Sequence, residues 1–210
     1  MSKIDSWKVK IEATCFNEPQ FPPEIGAPET GVPEIAVAGR SNVGKSTLVN
    51  AILGTRLAHV GATPGKTRSI NFYFIETEAG AFRLVDLPGY GYAKSGKAER
   101  KEWSRLTTAY VEKRKSLVLV CHLVDFRHGL LPNDRLLQEW LDERGKPIMV
   151  IFTKADKISR SKWRSTLQQY VRDGLKSIDV PIVTSAEDRS GIGEVRAFLK
   201  TRVALAKNPA

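Results

Sequence analysis

The sequence predicts a single α/β domain, and three observations carry that reading. From Glu34 onward, apolar strand-like runs alternate with amphipathic stretches, the order expected of a sheet covered by helices. A glycine-rich loop stands between the first such strand and the first such helix. The 210 residues suit one ordinary domain, long enough to bury about 70% of the surface its unfolded chain exposes.

Residues 1–10 mix charges with isolated Ile4, Trp7 and Val9 and lack the apolar stretch of a secretory signal, so export is not expected. Residues 17–34 hold Pro19, Pro22, Pro23, Pro28 and Pro33 with Gly26 and Gly31, a composition that blocks helix and central strand alike. Residues 1–34 therefore read as a lead-in segment packed on or flanking a domain of residues 35–210. Strands are expected at 35–38, 69–76, 82–86, 117–125, 148–152 and 181–184, and helices at 45–53, 98–113, 133–144, 162–175 and 192–203. The longest apolar run, 117–124, is interrupted by His122 and falls far short of the ~20 residues a spanning helix needs, so it reads as a buried strand and no membrane is expected. Cys15 and Cys121 are far apart with no C-x-x-C spacing, which points to a reducing cytoplasm and no structural metal. His59, His122 and His128 show no metal-ligand spacing, and His122 on an apolar strand reads as a core or hydrogen-bonded residue. Trp140, among Leu136, Leu137 and Leu141, reads as core packing.

The chain carries 33 Lys and Arg against 23 Asp and Glu, a formal charge of +10 and a pI near 9.7. It should therefore be drawn to polyanions, whether nucleic acid or anionic membrane. The excess is spread widely: Lys94, Lys97, Arg100, Lys101 and Arg105, then Lys113 to Lys115, then Lys157, Arg160, Lys162 and Arg164, and later Arg189, Arg196, Lys200, Arg202 and Lys207. A charge run is commonly no more than a solvated face, and composition alone does not choose between these partners; contact with a nucleic acid would run chiefly through phosphates and be sensitive to salt.

The chemistry is concentrated in three strings. Gly39-Arg40-Ser41-Asn42-Val43-Gly44-Lys45-Ser46, followed by Thr47, matches G-x-x-x-x-G-K-[ST] between a strand and a helix. Its glycines let backbone N–H groups curl around phosphates, Lys45 reaches the β and γ phosphates, and Ser46 offers its hydroxyl to Mg²⁺. Asp86-Leu87-Pro88-Gly89 follows a second strand, so the Asp86 carboxylate falls beside the phosphate loop, where it would hold Mg²⁺ through water. Gly89 would bring a backbone N–H to the γ-phosphate and move when that phosphate leaves. Thr153-Lys154-Ala155-Asp156 closes a further strand. Asp156 can accept from the ring N–H and the exocyclic amine of guanine, whereas adenine offers it the wrong donors, so the ligand is expected to be GTP or GDP. Lys154 would lay its stem along the purine, and Thr184-Ser185-Ala186 could offer a backbone N–H to the guanine carbonyl.

With Thr63-Pro64-Gly65-Lys66-Thr67 and the longer string Asp86-Leu87-Pro88-Gly89-Tyr90-Gly91-Tyr92-Ala93, the chain from about residue 35 to 203 resembles the translation-factor-related bacterial GTPases of the EngB type, also called YihA or YsxC. The resemblance implies a P-loop GTPase fold, a six-stranded, mostly parallel sheet with helices on both faces. It further implies GTP and Mg²⁺ binding, a monomer, and a role in assembling the large ribosomal subunit, and so in normal growth and cell division. Thr55, Thr63, Thr67 and Ser69 are all candidates for a threonine or serine that completes the Mg²⁺ shell, and spacing does not separate Thr67 from Thr63. The resemblance implies Thr67, with Gly65, Lys66, Arg68 and Ser69 around it on the nucleotide.

Tyr90 stands where small signalling GTPases carry the glutamine that orients the attacking water, so intrinsic hydrolysis is expected to be slow and the catalytic group is unassigned, with Lys45 and Thr67 as contributors. Asn42 occupies the position at which potassium-stimulated relatives coordinate K⁺, a charge that can do the work of an arginine finger. An asparagine at a loop turn also satisfies its own backbone, and the sequence leaves both readings open. Two rivals to a GTP-driven switch remain: an RNA-binding module that uses GTP only for stability, and a P-loop phosphotransferase with a small-molecule acceptor.

Overall fold

The computed structural model describes residues 7–25, 31–58, 69–90 and 97–207, with only the backbone described at 97–104. Seven strands form one sheet: β1 (Lys8–Cys15), β2 (Glu34–Gly39), β3 (Ile70–Thr77), β4 (Gly80–Asp86), β5 (Leu117–Asp125), β6 (Ile148–Thr153) and β7 (Ile182–Val183). Five helices accompany them: α1 (Lys45–Leu53), α2 (Lys97–Lys113), α3 (Pro132–Asp142), α4 (Arg160–Arg172) and α5 (Ile192–Lys207). The strand order is β1-β3-β4-β2-β5-β6-β7, and four of its six pairings are parallel, the two on the β1 side being antiparallel.

The sheet is one strand wider than the six the resemblance implies. The extra strand comes from the lead-in, where Val9, Ile11 and Ala13 alternate with Lys8, Lys10, Glu12 and Thr14 in the period-2 pattern of a half-buried strand. β1 pairs antiparallel with β3 and carries a bulge between Ile11 and Ala13. Charged side chains and a bulge are the usual protection of an open sheet edge.

Central strands are buried on both faces, and their side chains sort by parity. Ile35, Val37, Leu119, Cys121 and Leu123 face α1 and α5, meeting Leu48, Ile52, Val195 and Leu199. Ala36, Ala38, Val120 and Val124 face the other layer, where Leu106, Tyr110 and Val111 of α2 and Leu141 of α3 pack. Trp140 is partly buried against this second layer, with the Arg144 guanidinium 4.5 Å over its ring. Trp7, isolated in sequence, is buried edge-on to Phe82 at 5.7 Å under the Arg196 guanidinium. Both cysteines are buried without a disulfide, and burial pushes their thiols up, Cys15 to about 11 and Cys121 to about 12, which makes them poor nucleophiles.

The proline-rich lead-in is clasped to the base of the sheet. Arg83 is fully buried and holds Glu12 of β1 through two hydrogen bonds of 2.7 and 2.8 Å, Glu34 of β2 at 3.3 Å and the Pro23 carbonyl at 3.0 Å. Arg114 donates to both carboxylate oxygens of Glu34, sharing Oε1 with Arg83, and to the Pro22 carbonyl. Phe21 fills the gap between Phe72 and Tyr110. A proline carbonyl is still an acceptor, so a segment unable to join a ladder is fixed instead by guanidinium donors. Breaking a buried ion pair by removing one partner leaves a charge uncompensated. Arg83→Leu should therefore lose about 3 kcal/mol of unfolding free energy in urea titration, and an unchanged midpoint would show that the clasp contributes nothing.

Candidate functional site

The chain leaves the sheet at the carboxyl end of β2, between β4 on one side and β5 on the other. Successive strands depart from β2 in opposite directions, which makes this the topological switch point where open α/β sheets bind ligands. At Gly39 a Cβ would lie 2.9 Å from Val43 Cγ1 and 3.1 Å from Leu123 Cβ, so the loop can close on β5 only with glycine. Asn42 (φ 64°) and Gly44 (φ 99°) take left-handed backbone. The turn they make delivers the chain into α1, whose first N–H groups have no intrahelical acceptor and carry the positive end of the helix dipole. Lys45, the first residue of α1, is buried, and its ammonium pairs with the buried carboxylate of Asp86 at the end of β4. Ser46 is half-buried and Thr47 exposed on the same first turn.

Pairing between β4 and β2 continues past Asp86. Leu87 N–H donates to Val37 at 3.0 Å, Tyr90 N–H to Gly39 at 3.3 Å and Ser41 N–H to Tyr90 at 2.9 Å. The Asp86–Gly89 string is thereby laid along the phosphate loop, and at Gly89 a Cβ would stand 3.1 Å from both Ser41 N and Ser41 Cα. The Tyr90 side chain turns inward: its hydroxyl donates to Asp134 at 2.6 Å and lies 2.7 Å from His122 Nε2. Burial and the Asp134 carboxylate push the phenol well above its ordinary pKa, so it stays protonated.

On the other side of the loop, β6 delivers Thr153-Lys154-Ala155-Asp156. The Thr153 hydroxyl donates to the Val43 carbonyl at 2.7 Å, and the Lys154 ammonium donates to the Asn42 carbonyl at 2.6 Å. This string thus also braces the phosphate loop. Lys154, itself at φ 59°, is held 3.1 Å from Asp125 at the end of β5. Asp156 accepts from Ser185 Oγ at 2.9 Å, and Ala155 N–H donates to the Thr184 carbonyl at 3.1 Å, so 184–186 and 153–156 form one surface. Lys157, then Ser185, hold the Asp156 carboxyl below its ordinary pKa, leaving an anion suited to two donors on one ligand edge.

Comparison with known proteins agrees with this geometry. A family model described as 50S ribosome-binding GTPase matches residues 34–154. A probable GTP-binding protein EngB of Alkaliphilus oremlandii is 46% identical over 92% of this chain and 88% of its own. The chain belongs to the EngB family of GTP-binding proteins. The corresponding protein of Clostridioides difficile is 42% identical over 92% of this chain and 91% of its own. Among solved structures, a probable GTP-binding protein EngB superposes with a TM-score of 0.64 at 24% identity, covering 81% of this chain and 98% of that one. Era in complex with MgGDPNP and nucleotides 1506–1542 of 16S ribosomal RNA superposes with a TM-score of 0.71 at 21% identity, covering 82% of this chain and 57% of that one. The fold is that of the P-loop GTPases, and membership of this family makes the chain a GTPase.

The structure gathers Gly39–Thr47, Asp86–Gly89, Thr153–Asp156 and Thr184–Ala186 along one edge. Ser69 is buried at the start of β3, its hydroxyl 3.4 Å from Asn71, while Thr63, Gly65, Lys66, Thr67, Arg68 and Lys94 lie outside the described residues. Sequence reading missed Asp125 and Asp134. Asp125 was hidden as the last residue of an apolar strand, and Asp134 had a visible cue, an acid two residues after Pro132, as at a helix start.

Burial opposes ionisation of Asp125, but hydrogen bonds from Arg127 and Lys154 outweigh it and hold the carboxyl well below its ordinary value. A depressed folded-state pKa gives stability that is complete above the unfolded value, near 3.9, and is lost as pH falls through the folded one. Asp125→Asn should therefore be less stable than the parent by about 2 kcal/mol at pH 7. The gap should narrow in urea titrations near pH 3, and a gap independent of pH would refute the assignment.

Proposed function

We propose that this GTPase is a nucleotide-driven switch that acts on the large ribosomal subunit, and that the edge built on β2 is its GTP site. The observation that carries the reading is the joint bracing of one phosphate loop by the Asp86–Gly89 string and by the Thr153–Asp156 string. Lys45 would turn to the β and γ phosphates, with the loop N–H groups beside it. Asp156 would read the guanine edge, Lys154 would lie along the purine, and 184–186 would meet the carbonyl. The Ser46 hydroxyl and one carboxylate, Asp86, are a sparse set of hard oxygens of the kind Mg²⁺ accepts when phosphates and water complete its octahedron. Bound there, the ion would neutralise charge developing on the phosphates. The resemblance adds Thr67 to that shell.

Slow hydrolysis follows from Tyr90, whose hydroxyl is committed to Asp134 and His122 and offers nothing to a water. The left-handed backbone at Asn42 is a sufficient local reason for that residue, since asparagine tolerates it. A role in K⁺ binding rests on the resemblance, and faster hydrolysis in K⁺ than in Na⁺ buffer is the result it requires. Asp156→Asn should weaken GTP binding by about 100-fold or more and favour xanthosine triphosphate, whose altered edge suits an amide; unchanged GTP affinity would remove Asp156 from the site.

Contact with ribosomal RNA is supported by charge and by the family's ribosome-binding description. On α4, Arg160, Arg164, Gln168 and Arg172 stand exposed at four-residue intervals, a stripe about 18 Å long. The helix has no acidic residue, and among the described residues only Arg160 of these arginines is drawn to an acid, 3.5 Å from Asp188. No described helix is long and apolar enough to cross a membrane. Co-sedimentation with large ribosomal subunits should be strongest with a non-hydrolysable GTP analogue, weaker with GDP, and weaker still in high salt. Replacing Arg164 and Arg172 with Glu should reduce it severalfold. Equal binding in all nucleotide states would reject the switch, and indifference to salt would reject the RNA contact.

A further inference from the structure

A polar cluster sits behind the phosphate loop, and Asp134 at its centre belongs to none of the motifs. Asp134 is fully buried in the first turn of α3. Its Oδ1 accepts from the Tyr90 hydroxyl at 2.6 Å and lies 3.6 Å from His122 Nε2. Its Oδ2 accepts from the Leu131 N–H at 2.9 Å and lies 3.2 Å from Arg40 Nε, an ion pair without hydrogen-bond alignment. One assignment of protons satisfies Gln138, His122 and Tyr90 together. The Lys176 backbone fixes both ends of the Gln138 amide, so Gln138 Nε2 donates to His122 Nδ1. His122 then carries its proton on Nε2 and donates to the Tyr90 oxygen, whose own proton goes to Asp134. Burial works against an ionised Asp134, but the adjacent His122 ring and the donors Tyr90 and Leu131 outweigh it and hold the carboxyl below its ordinary pKa.

The sheet order explains the reach. Tyr90 extends β4, His122 lies on β5, and β2 runs between them with Ala38 paired to His122. The phenol therefore crosses the strand that carries the phosphate loop, at the small side chain of Ala38. Ala38 and Tyr90 line a small apolar cavity together with Leu137 and Trp140 of α3.

We propose that Asp134 is a positioning residue for GTP hydrolysis: through Tyr90 and Arg40 it fixes residues 40–41 and 89–90, the two backbone segments that flank the terminal phosphate. The assignment rests on the nucleotide site described under the proposed function. Those segments touch, since a Cβ at Gly89 would stand 3.1 Å from Ser41, so displacement of either one moves the other. A carboxylate is required because Tyr90, Leu131 and Arg40 all turn N–H or O–H groups toward it. An amide facing Tyr90 with its oxygen would turn its NH₂ on the Leu131 N–H and Arg40.

The test is GTP hydrolysis and GDP affinity of the full chain with Tyr90→Phe, Asp134→Asn and both together, alongside thermal melting. Each single variant should lower kcat by about tenfold or more, the scale of a misplaced reacting geometry. GDP affinity should stay within about threefold, because ground-state binding does not need the same alignment. The double variant should be no slower than the worse single one, since both remove the same link. Unchanged kcat in a folded Tyr90→Phe chain, or losses that multiply in the double variant, would overturn the proposal. Should Asp134→Asn fail to fold, the folded Tyr90→Phe chain alone carries the test: a fall in kcat of about tenfold with GDP affinity kept supports the proposal, and an unchanged kcat overturns it. Absence of GDP binding by the parent chain would instead reject the nucleotide site, whereas normal hydrolysis by variants of a GDP-binding parent rejects only the role of Asp134.

Discussion

The upper edge of the molecule depends on the way β2 ends. This strand is buried along its whole length and hydrogen-bonded on both sides, so the loop that leaves it emerges from a crowded interior with its backbone groups unpaired. Three supports meet that need from different directions. The continuation of β4 pairs with residues 37–41, the Thr153 hydroxyl takes the Val43 carbonyl, and the Lys154 ammonium takes the Asn42 carbonyl. Each support arises from a segment with its own part in the proposed recognition of the nucleotide. The loop's shape and the placement of these segments are consequently one problem with one solution.

Much of this was legible before any coordinates. Local patterns located α1 and β5 at their observed bounds, α1 because Gly44 and Gly54 frame it and β5 because it is a long apolar run ended by a carboxylate. The lead-in was harder to read. Its first residues alternate clearly, but the prolines that follow suggest separation from the sheet, and only the long-range pairing of β1 with β3 gives the strand a place. The motif strings were readable as sets of residues, while their mutual arrangement was not. That Thr153 braces Val43, 110 positions earlier in the chain, depends on β6 lying two strands from β2, which no local pattern reveals.

Tyr90 shows the same limit at a single side chain. By position it stands in place of a catalytic glutamine, and the sequence marks only that loss. Its actual surroundings come from β5 and α3, elements that begin 27 and 42 positions later. His122, in an apolar strand, and Asp134, at a helix start, each have an ordinary structural explanation when considered alone. They acquire a joint meaning only when the phenol is placed between them.

The clasp around Arg83 bears on where the folding unit begins. A family profile begins at residue 34, with the strand that leads into the phosphate loop, yet a chain cut there would lose Glu12 and the Pro22 and Pro23 carbonyls that face two buried guanidinium groups. It would also bare the outer hydrogen-bonding edge of β3, whose Phe72, Tyr73 and Ile75 make it a ready template for self-association. The segment that contributes nothing to the chemistry therefore works as a cover, neutralising two buried guanidinium groups and closing a sheet edge that would otherwise be open to a second copy.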